Sequence, residues 1–165
     1  MLPAGITGFS TMSSAAAMPV TLKATEKNTR NPQFAHLIVP TTVNIHMMGD
    51  ALGIPLIGMA VLFFSGGALP SFEGYLSFVL YFCLAKFSAA GIPGGGVIVL
   101  LPVLQTHLGL TPEMTSLVAT LYILQDPIFT GSNIMGNGAF ALLIQKMCRT
   151  YGSKKCSLSL AEREG

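Results

Sequence analysis

Asp126 is the residue of this chain whose type and setting point most directly to chemistry. It is the only charged residue between Glu113 and Lys146, in an apolar stretch long enough to cross a bilayer. A carboxylate in such a stretch is costly unless it faces a protein interior or a watery cavity, where it marks a ligand or ion path. Small polar residues and glycines follow it: Thr130, Gly131, Ser132, Asn133, Gly136, Asn137 and Gly138. We therefore predict a binding site within a membrane helix.

His46 and Asp50 form a second candidate pair. They are four residues apart, so on a continuous helix they would share one face. Because histidine titrates near neutral pH, such a pair can couple proton movement to another process. The alternatives are a mutually satisfied pair without a role in coupling, or drift in a chain no longer selected for that process, and the sequence leaves these interpretations open.

The composition favours a membrane protein. Of the 165 residues, 51% are hydrophobic and 10% are charged, whereas about 25% of residues are charged in a typical soluble domain. The net charge of +2 is too small to suggest a nucleic-acid partner. The three cysteines, Cys83, Cys148 and Cys156, form no CxxC pair, so neither a disulfide framework nor a zinc site is predicted.

The apolar stretches predict an all-α membrane protein with two re-entrant helical hairpins and two transmembrane helices. About 20 apolar residues suffice to cross a bilayer. Shorter apolar halves joined by a glycine-rich tip are typical of a hairpin that enters and leaves on the same side. The elements in chain order are hairpin one (1–22), a transmembrane helix (37–64), hairpin two (75–110) and a second transmembrane helix (114–145).

These elements make one domain over 1–150, followed by a polar tail at 151–165. Thr111 and Pro112 are predicted to supply the N-cap and the first position of the last helix. Lys86, the lone formal charge of hairpin two, is expected to extend its ammonium to the outer surface.

The distribution of basic residues predicts the orientation. Cytoplasmic loops carry an excess of lysine and arginine. Of the nine Lys and Arg residues, seven cluster in the predicted first loop (23–32) and just after the last helix: Lys23, Lys27, Arg30, Lys146, Arg149, Lys154 and Lys155. We therefore expect a multi-pass protein of the inner cell membrane with a cytoplasmic C-terminus.

Two enzymatic interpretations are not supported by the sequence. The stretch GIPGGG lacks the Lys-Ser/Thr that a phosphate-binding loop requires. Ser13 or Ser14 with His46 and Asp50 would supply the residue types of a hydrolase triad, but no nucleophile elbow is present. We predict that the chain is not an enzyme.

Four motifs resemble the dicarboxylate/amino acid:cation symporters, the glutamate-transporter family. STMSSAAAMPVT resembles the serine-rich tip of the family's first hairpin, and AAGIPGGGVIVL resembles the glycine-rich tip of its second. Pro40 to Leu52 resembles the seventh helix. Asp126, Thr130, Asn133 and Gly136 have the spacing of the last-helix motif. The resemblance covers nearly all of 10–150 and implies a partial transport domain, with a separate N-terminal half as partner.

The resemblance implies substrate-binding roles for eight residues. Asp126 matches the aspartate that takes the substrate ammonium, and Thr130 and Asn133 match its hydrogen-bonding partners. The hairpin tips supply the remaining substrate-binding residues, which are Ser13 and Ser14 in the first tip and Ile92, Pro93 and Gly94 in the second.

The cation sites depart from the family pattern. We predict a cation site at Asn44, His46, Asp50, Asn133 and Asn137, in which His46 and Asp50 are polar groups that the family pattern lacks. Met48 replaces one aspartate ligand of the family, however, and Asn137 replaces the other. Hard cations prefer charged oxygen ligands, so the coupling ion is left open between Na⁺ and H⁺, with no organic cofactor.

The substrate site also departs from the family pattern. The arginine that pairs with an acidic substrate side chain is absent, because Phe129 and Met12 occupy its two alternative positions. A second carboxylate without a partner is strongly unfavourable in a pocket of low dielectric. A neutral amino acid is therefore expected to fit better than a dicarboxylate.

The sequence thus predicts the C-terminal part of a secondary-active amino-acid/dicarboxylate:cation symporter in the lipid bilayer. It is expected to bind an amino-acid-like substrate between the two hairpin tips. The alternative is a truncated membrane remnant of such a symporter that has lost cation coupling.

Overall fold

The computed structural model describes residues 1–88 and 96–151, and within these ranges the secondary structure is entirely helical. This confirms the predicted all-α class. The helices in chain order are α1 (Leu2–Thr11), α2 (Met18–Thr29), α3 (Pro32–Thr42), α4 (Met48–Phe64), α5 (Phe72–Ser88), α6 (Gly96–Leu108) and α7 (Pro112–Tyr151).

Helix α7 is the central element, since it packs against α1, α2, α3, α4 and α6. It starts where the sequence predicted, with Pro112 as its first residue and the Thr111 hydroxyl accepting a hydrogen bond from the Met114 N–H at 3.3 Å. A side-chain hydrogen bond with Thr111 also holds the pKa of Glu113 below its ordinary value. The local signals at 111–113 therefore fix the beginning of the longest helix.

The stretch 37–64, expected as one helix, forms two helices in the structure. Helix α3 ends at Thr42 and α4 begins at Met48. The run Thr41-Thr42-Val43 is β-branched and follows Pro40, and such residues are poor helix formers. The Thr42 hydroxyl also bonds back to the Ile38 carbonyl at 2.7 Å. The break places His46 outside any helix.

Two pairs of helices lie in the stretches predicted as hairpins, and their re-entrant placement in a bilayer stays a prediction. Helix α1 ends at Thr11, its C-cap Met12 has a left-handed φ of 51°, and α2 begins at Met18 after a short turn. Helices α5 and α6 pack against each other. The tip between them, 89–95, lies outside the described residues, and so does the tail at 152–165.

Close approach of α4 to α7 depends on two glycines of α4. A Cβ at Gly49 would lie 2.6 Å from the Phe129 carbonyl oxygen, and one at Gly53 would collide with the Phe129 ring. Phe129 itself belongs to the larger apolar core, which α4, α5, α6 and α7 share. The polar residues described below are held at this tight contact.

Within the described ranges, none of the helices has both the length and the hydropathy needed to cross a membrane. The bilayer placement of 37–64 and 114–145 stays a prediction.

Candidate functional site: a buried carboxylate cluster beside Asp126

Side chains from three helices meet in a buried polar group, which we call the Asp50 cluster: Asp50 of α4, Lys86 of α5, and Tyr122 and Asn133 of α7. Asp50 is only 4% exposed. Its Oδ2 lies 3.2 Å from Lys86 Nζ and accepts a hydrogen bond from Asn133 Nδ2 at 3.0 Å. Its Oδ1 accepts one from the Tyr122 hydroxyl at 3.3 Å. Both oxygens of this carboxylate are therefore satisfied by the protein.

Asn133 also fixes the start of α4. Its Oδ1 accepts hydrogen bonds from the backbone N–H groups of Gly49, at 2.7 Å, and Asp50, at 3.4 Å. The first N–H groups of a helix have no partner within the helix, so a side-chain acceptor stabilises them. This engagement turns the Asn133 amide nitrogen towards the Asp50 carboxylate.

The expectation that Lys86 extends to the outer surface is wrong. Its side chain is 11% exposed and is paired with Asp50. The Tyr122 ring centroid lies 6.0 Å from the ammonium, a cation–π contact at the edge of the usual range. A buried lysine is tolerated where a carboxylate compensates its charge, and Asp50 supplies that carboxylate.

The predicted pair of His46 and Asp50 is also wrong. Both residues are described, and no hydrogen bond or ion pair joins them. His46 lies in the break before α4, so the four-residue spacing does not place it on the helix face of Asp50. Its Nδ1 lies 2.9 Å from Asn137 Oδ1, and its ring stacks on Phe140 with centroids 4.5 Å apart.

The residues expected at the cation site therefore divide into two groups. His46 pairs with Asn137, and Asp50 pairs with Asn133, while Asn44 lies in the turn after α3 and belongs to neither pair. The Asn137 Nδ2 is buried and has no hydrogen-bond partner among the residues that the structure describes. Within the described part of the chain, no group of three or more His, Cys, Asp or Glu residues could hold a metal ion.

Asp126 lies next to the Asp50 cluster on α7. It is half-buried, and the Thr130 hydroxyl donates a hydrogen bond to its Oδ1 at 3.3 Å. Asp50 and Lys86 are close enough to interact with its charge. Since α7 is continuous here, Asp126, Thr130 and Asn133 lie along one helix face, as their spacing predicts.

The first hairpin tip is ordered by its own hydrogen bonds. The Ser13 hydroxyl accepts from the Ala16 N–H at 3.2 Å, and Ser13 and Ser14 are both half-exposed. Helix α1 runs antiparallel to α7. A Cβ at Gly5 would touch Met135 and one at Gly8 would meet Ile134 and Thr130. The predicted residues of the second tip, Ile92, Pro93 and Gly94, lie outside the described residues.

The two positions expected for an arginine do not face a common polar site. Phe129 is 8% exposed and packs in the apolar core against Tyr122, with ring centroids 5.8 Å apart. Met12 is exposed and is the C-cap of α1. Phe129 is therefore a packing residue of the apolar core, at a position where the family pattern has an arginine.

Comparison with known proteins decides the family. The model of the sodium:dicarboxylate symporter family matches residues 1–147. The chain belongs to the sodium:dicarboxylate symporter family. It is a family of transporters, not of enzymes, and its members are integral membrane proteins that couple transport to sodium. No solved structure gives a significant match.

The relatives cover most of this chain but are much longer. Excitatory amino acid transporter 1 of Ambystoma tigrinum is 30% identical over 90% of this chain and 27% of its own length. The human protein of that name is 29% identical over the same shares. The serine/threonine transporter of Acinetobacter baumannii is 30% identical over 78% of this chain and 33% of its own. The chain thus spans about a third of these relatives, or less.

Two residues of the Asp50 cluster, Lys86 and Tyr122, were missed as functional candidates. Lys86 carried a usable signal, because it is the lone Lys, Arg, Asp or Glu between Glu73 and Glu113. Tyr122 precedes Asp126 by four residues and so shares its helix face. Their partner Asp50 lies on another helix, and only the fold could reveal that pairing.

Proposed function

We propose that this chain forms the substrate-binding part of a secondary-active amino-acid transporter, with Asp126 as the partner of the substrate ammonium. One observation carries the proposal. Asp126 is a half-buried carboxylate, and no Lys, Arg or His lies within ion-pair distance of it among the described residues. Its Oδ1 is positioned by Thr130, so an entering ammonium meets an oriented acceptor.

The charges of the neighbouring cluster support this role. Asp50 and Asp126 bring two negative charges, and Lys86, which pairs with Asp50, brings one positive charge. One negative charge therefore remains, and it belongs to the carboxylate that is partly open. A cationic group is the chemical match for such a site, because charge-assisted hydrogen bonds are the stronger ones.

The packing of the first hairpin supports a substrate site at its tip. In the antiparallel contact, Gly5 lies near Met135 and Gly8 near Thr130 and Ile134. Extending this register by about one helical turn brings Ser13 level with Asp126. The start of α2 follows the tip, and the free N–H groups of a helix start favour an anion. A zwitterionic substrate would thus place its carboxylate at the tip and its ammonium at Asp126.

We propose a neutral amino acid as the substrate. An acidic substrate would bring a second carboxylate to a site whose charge is already negative, and Phe129 replaces the arginine that would compensate it. Burial of an unpaired charge is strongly unfavourable. The names of the relatives include both an excitatory amino acid transporter and a serine/threonine transporter, so membership of the family does not decide between an acidic and a neutral substrate.

The surface supports placement in a bilayer. Large apolar side chains are exposed on several helices, including Leu56 and Phe64 of α4, Leu80 of α5 and Leu124 of α7. Apolar surface of this extent fits contact with lipid or with other membrane helices. We propose that the chain works in the inner cell membrane, with a cytoplasmic C-terminus, together with the N-terminal half of such a transporter.

Uptake of labelled amino acids by membranes that contain this chain and an N-terminal half tests the proposal. We expect uptake of serine or alanine, and a loss of about 10- to 100-fold in apparent affinity for Asp126→Asn, as expected for a hydrogen bond to a charged group. Glu113→Gln is the matched control, because it removes an exposed carboxylate from the first turn of the same helix. That control should be unaffected.

Two results would contradict this proposal. Uptake that Asp126→Asn leaves unchanged would remove the ammonium contact. Absence of uptake of any amino acid, with both chains present in the membrane, would favour the non-transporting remnant instead.

A further inference from the structure

The Asp50 carboxylate sits in a setting that is unusual for a cation site, because the groups that surround it are hydrogen-bond donors. The Tyr122 hydroxyl, the Asn133 amide nitrogen and the Lys86 ammonium all point at its two oxygens. A bare metal ion needs several oxygen acceptors directed at it. The neighbouring Asn133 Oδ1 is already engaged by the N–H groups of Gly49 and Asp50.

The positively charged donor to Asp50 is a side chain of the protein, the Lys86 ammonium. Lys86 extends from α5 to place its Nζ 3.2 Å from Asp50 Oδ2, and both side chains are nearly buried. The Tyr122 ring lies beside the same ammonium. An ammonium has three N–H donors and no acceptor, so it suits a carboxylate whose remaining neighbours are also donors.

We propose that the Asp50 cluster is a binding site for a primary ammonium group and that Lys86 fills it as a tethered cation. The site takes an ammonium in preference to a sodium ion, since it offers one carboxylate and few free acceptors. The lysine thereby neutralises Asp50 without an ion from solution and ties α5 to α4 and α7. Asp126 is left as the carboxylate available to a ligand.

Replacement of the tethered cation by a free one tests this assignment. Lys86→Ala removes the side chain beyond Cβ, and propylammonium has the same heavy atoms as the part removed. The purified full chain in lipid nanodiscs is unfolded thermally in equal concentrations of propylammonium, sodium or choline chloride. Choline is the reference cation because its nitrogen has no N–H donor. Lys23→Ala, which truncates an exposed lysine of α2, is the control variant.

We expect propylammonium to raise the Tm of Lys86→Ala above its value in choline by about 2–4 °C at several-fold excess over Kd. Sodium should give no such rise, and neither salt should shift the natural chain or Lys23→Ala. A rise with sodium equal to that with propylammonium would overturn the preference for ammonium. Absence of any salt-specific rise in Lys86→Ala, or an equal rise in the natural chain, would overturn the tethered-cation role.

A second pair of variants keeps the test decisive if Lys86→Ala fails to fold. Asp50→Asn alone leaves Lys86 buried without a counter-charge, whereas Asp50→Asn with Lys86→Met removes both charges together. Neutral replacement of a whole buried ion pair is often tolerated, but loss of one partner is not. We expect the double variant to accumulate in membranes near the natural level and the single variant to be depleted. Equal depletion of both would overturn the proposal. These measurements need no transport, so they are independent of the Asp126 test.

Discussion

At the scale of single residues, two aspartates of similar sequence setting have different roles because of their neighbours. Asp50 is buried and meets three donors, while Asp126 is half-buried and accepts from Thr130. In a medium of low dielectric a compensated carboxylate is structural, and an uncompensated one is a candidate ligand group. Asp50 differs from Asp126 because Lys86 pairs with it. The sequence around either aspartate does not show this pairing.

The hydroxyl of Tyr122 should contribute measurably to the stability of the Asp50 cluster. Tyr122→Phe removes the donor to Asp50 Oδ1 and leaves the ring in place. We expect the free energy of unfolding to fall by about 1 kcal/mol, the usual net contribution of one hydrogen bond. Thermal unfolding of the chain in nanodiscs measures it, with Tyr75→Phe on α5 as control, where the hydroxyl makes no hydrogen bond to described residues. Equal effects of the two substitutions would show that the Tyr122 hydroxyl adds nothing specific.

At the scale of elements, the contact between α4 and α7 depends on backbone approach at Gly49. Alanine is intrinsically better than glycine in a helix by about 1 kcal/mol, but a Cβ here would lie 2.6 Å from the Phe129 carbonyl oxygen and 3.0 Å from its Cα. These are backbone atoms that cannot rotate away. We therefore expect Gly49→Ala to destabilise the fold by about 1–3 kcal/mol, as overpacking does.

Gly74→Ala is the matched control for that prediction. Gly74 also lies in the first turn of its helix, α5, and the nearest atoms to an added Cβ are 3.5 Å away. Its substitution should be neutral or slightly stabilising. Relative to the natural chain, the unfolding midpoint should therefore fall for Gly49→Ala and stay the same or rise slightly for Gly74→Ala. If Gly49→Ala were as stable as Gly74→Ala, the two helices would not be in the close contact described.

The elements also show what the sequence can and cannot predict. Local signals were sufficient for the start of α7, where Thr111 and Pro112 act as predicted. The shared face of Asp126, Thr130 and Asn133 was likewise predictable, because α7 is regular there. The pair of His46 and Asp50 was not, since Thr41, Thr42 and Val43 interrupt the helix that would have aligned them. The pairing of Lys86 with Asp50 joins α5 to α4, and a contact between distant segments has no local signature.

At the scale of the whole molecule, the positions of the basic residues and the order of the helices are compatible with one membrane orientation. The basic residues that the sequence placed in a loop belong to α2 in the structure, where Lys23 and Lys27 are helical and Arg30 is the C-cap. Those after the apolar part of α7 begin at Lys146. The turn between α4 and α5 carries no Lys or Arg. If the first and last of these regions are cytoplasmic, the segment formed by α3 and α4 must lead from the cytoplasmic side to the outside.

Single introduced thiols can test that topology. In a chain with Cys83, Cys148 and Cys156 replaced by serine, Asn28→Cys places a thiol at an exposed position near the end of α2, and Ala68→Cys places one in the turn before α5. In intact cells a membrane-impermeant maleimide should label Ala68→Cys fully, and Asn28→Cys only after permeabilisation, because 37–64 separates the two positions across the bilayer. Labelling of both thiols in intact cells would mean that 37–64 does not cross. The reverse pattern would mean that the chain is inserted with the basic end of α2 outside, against the charge rule from which the orientation was predicted.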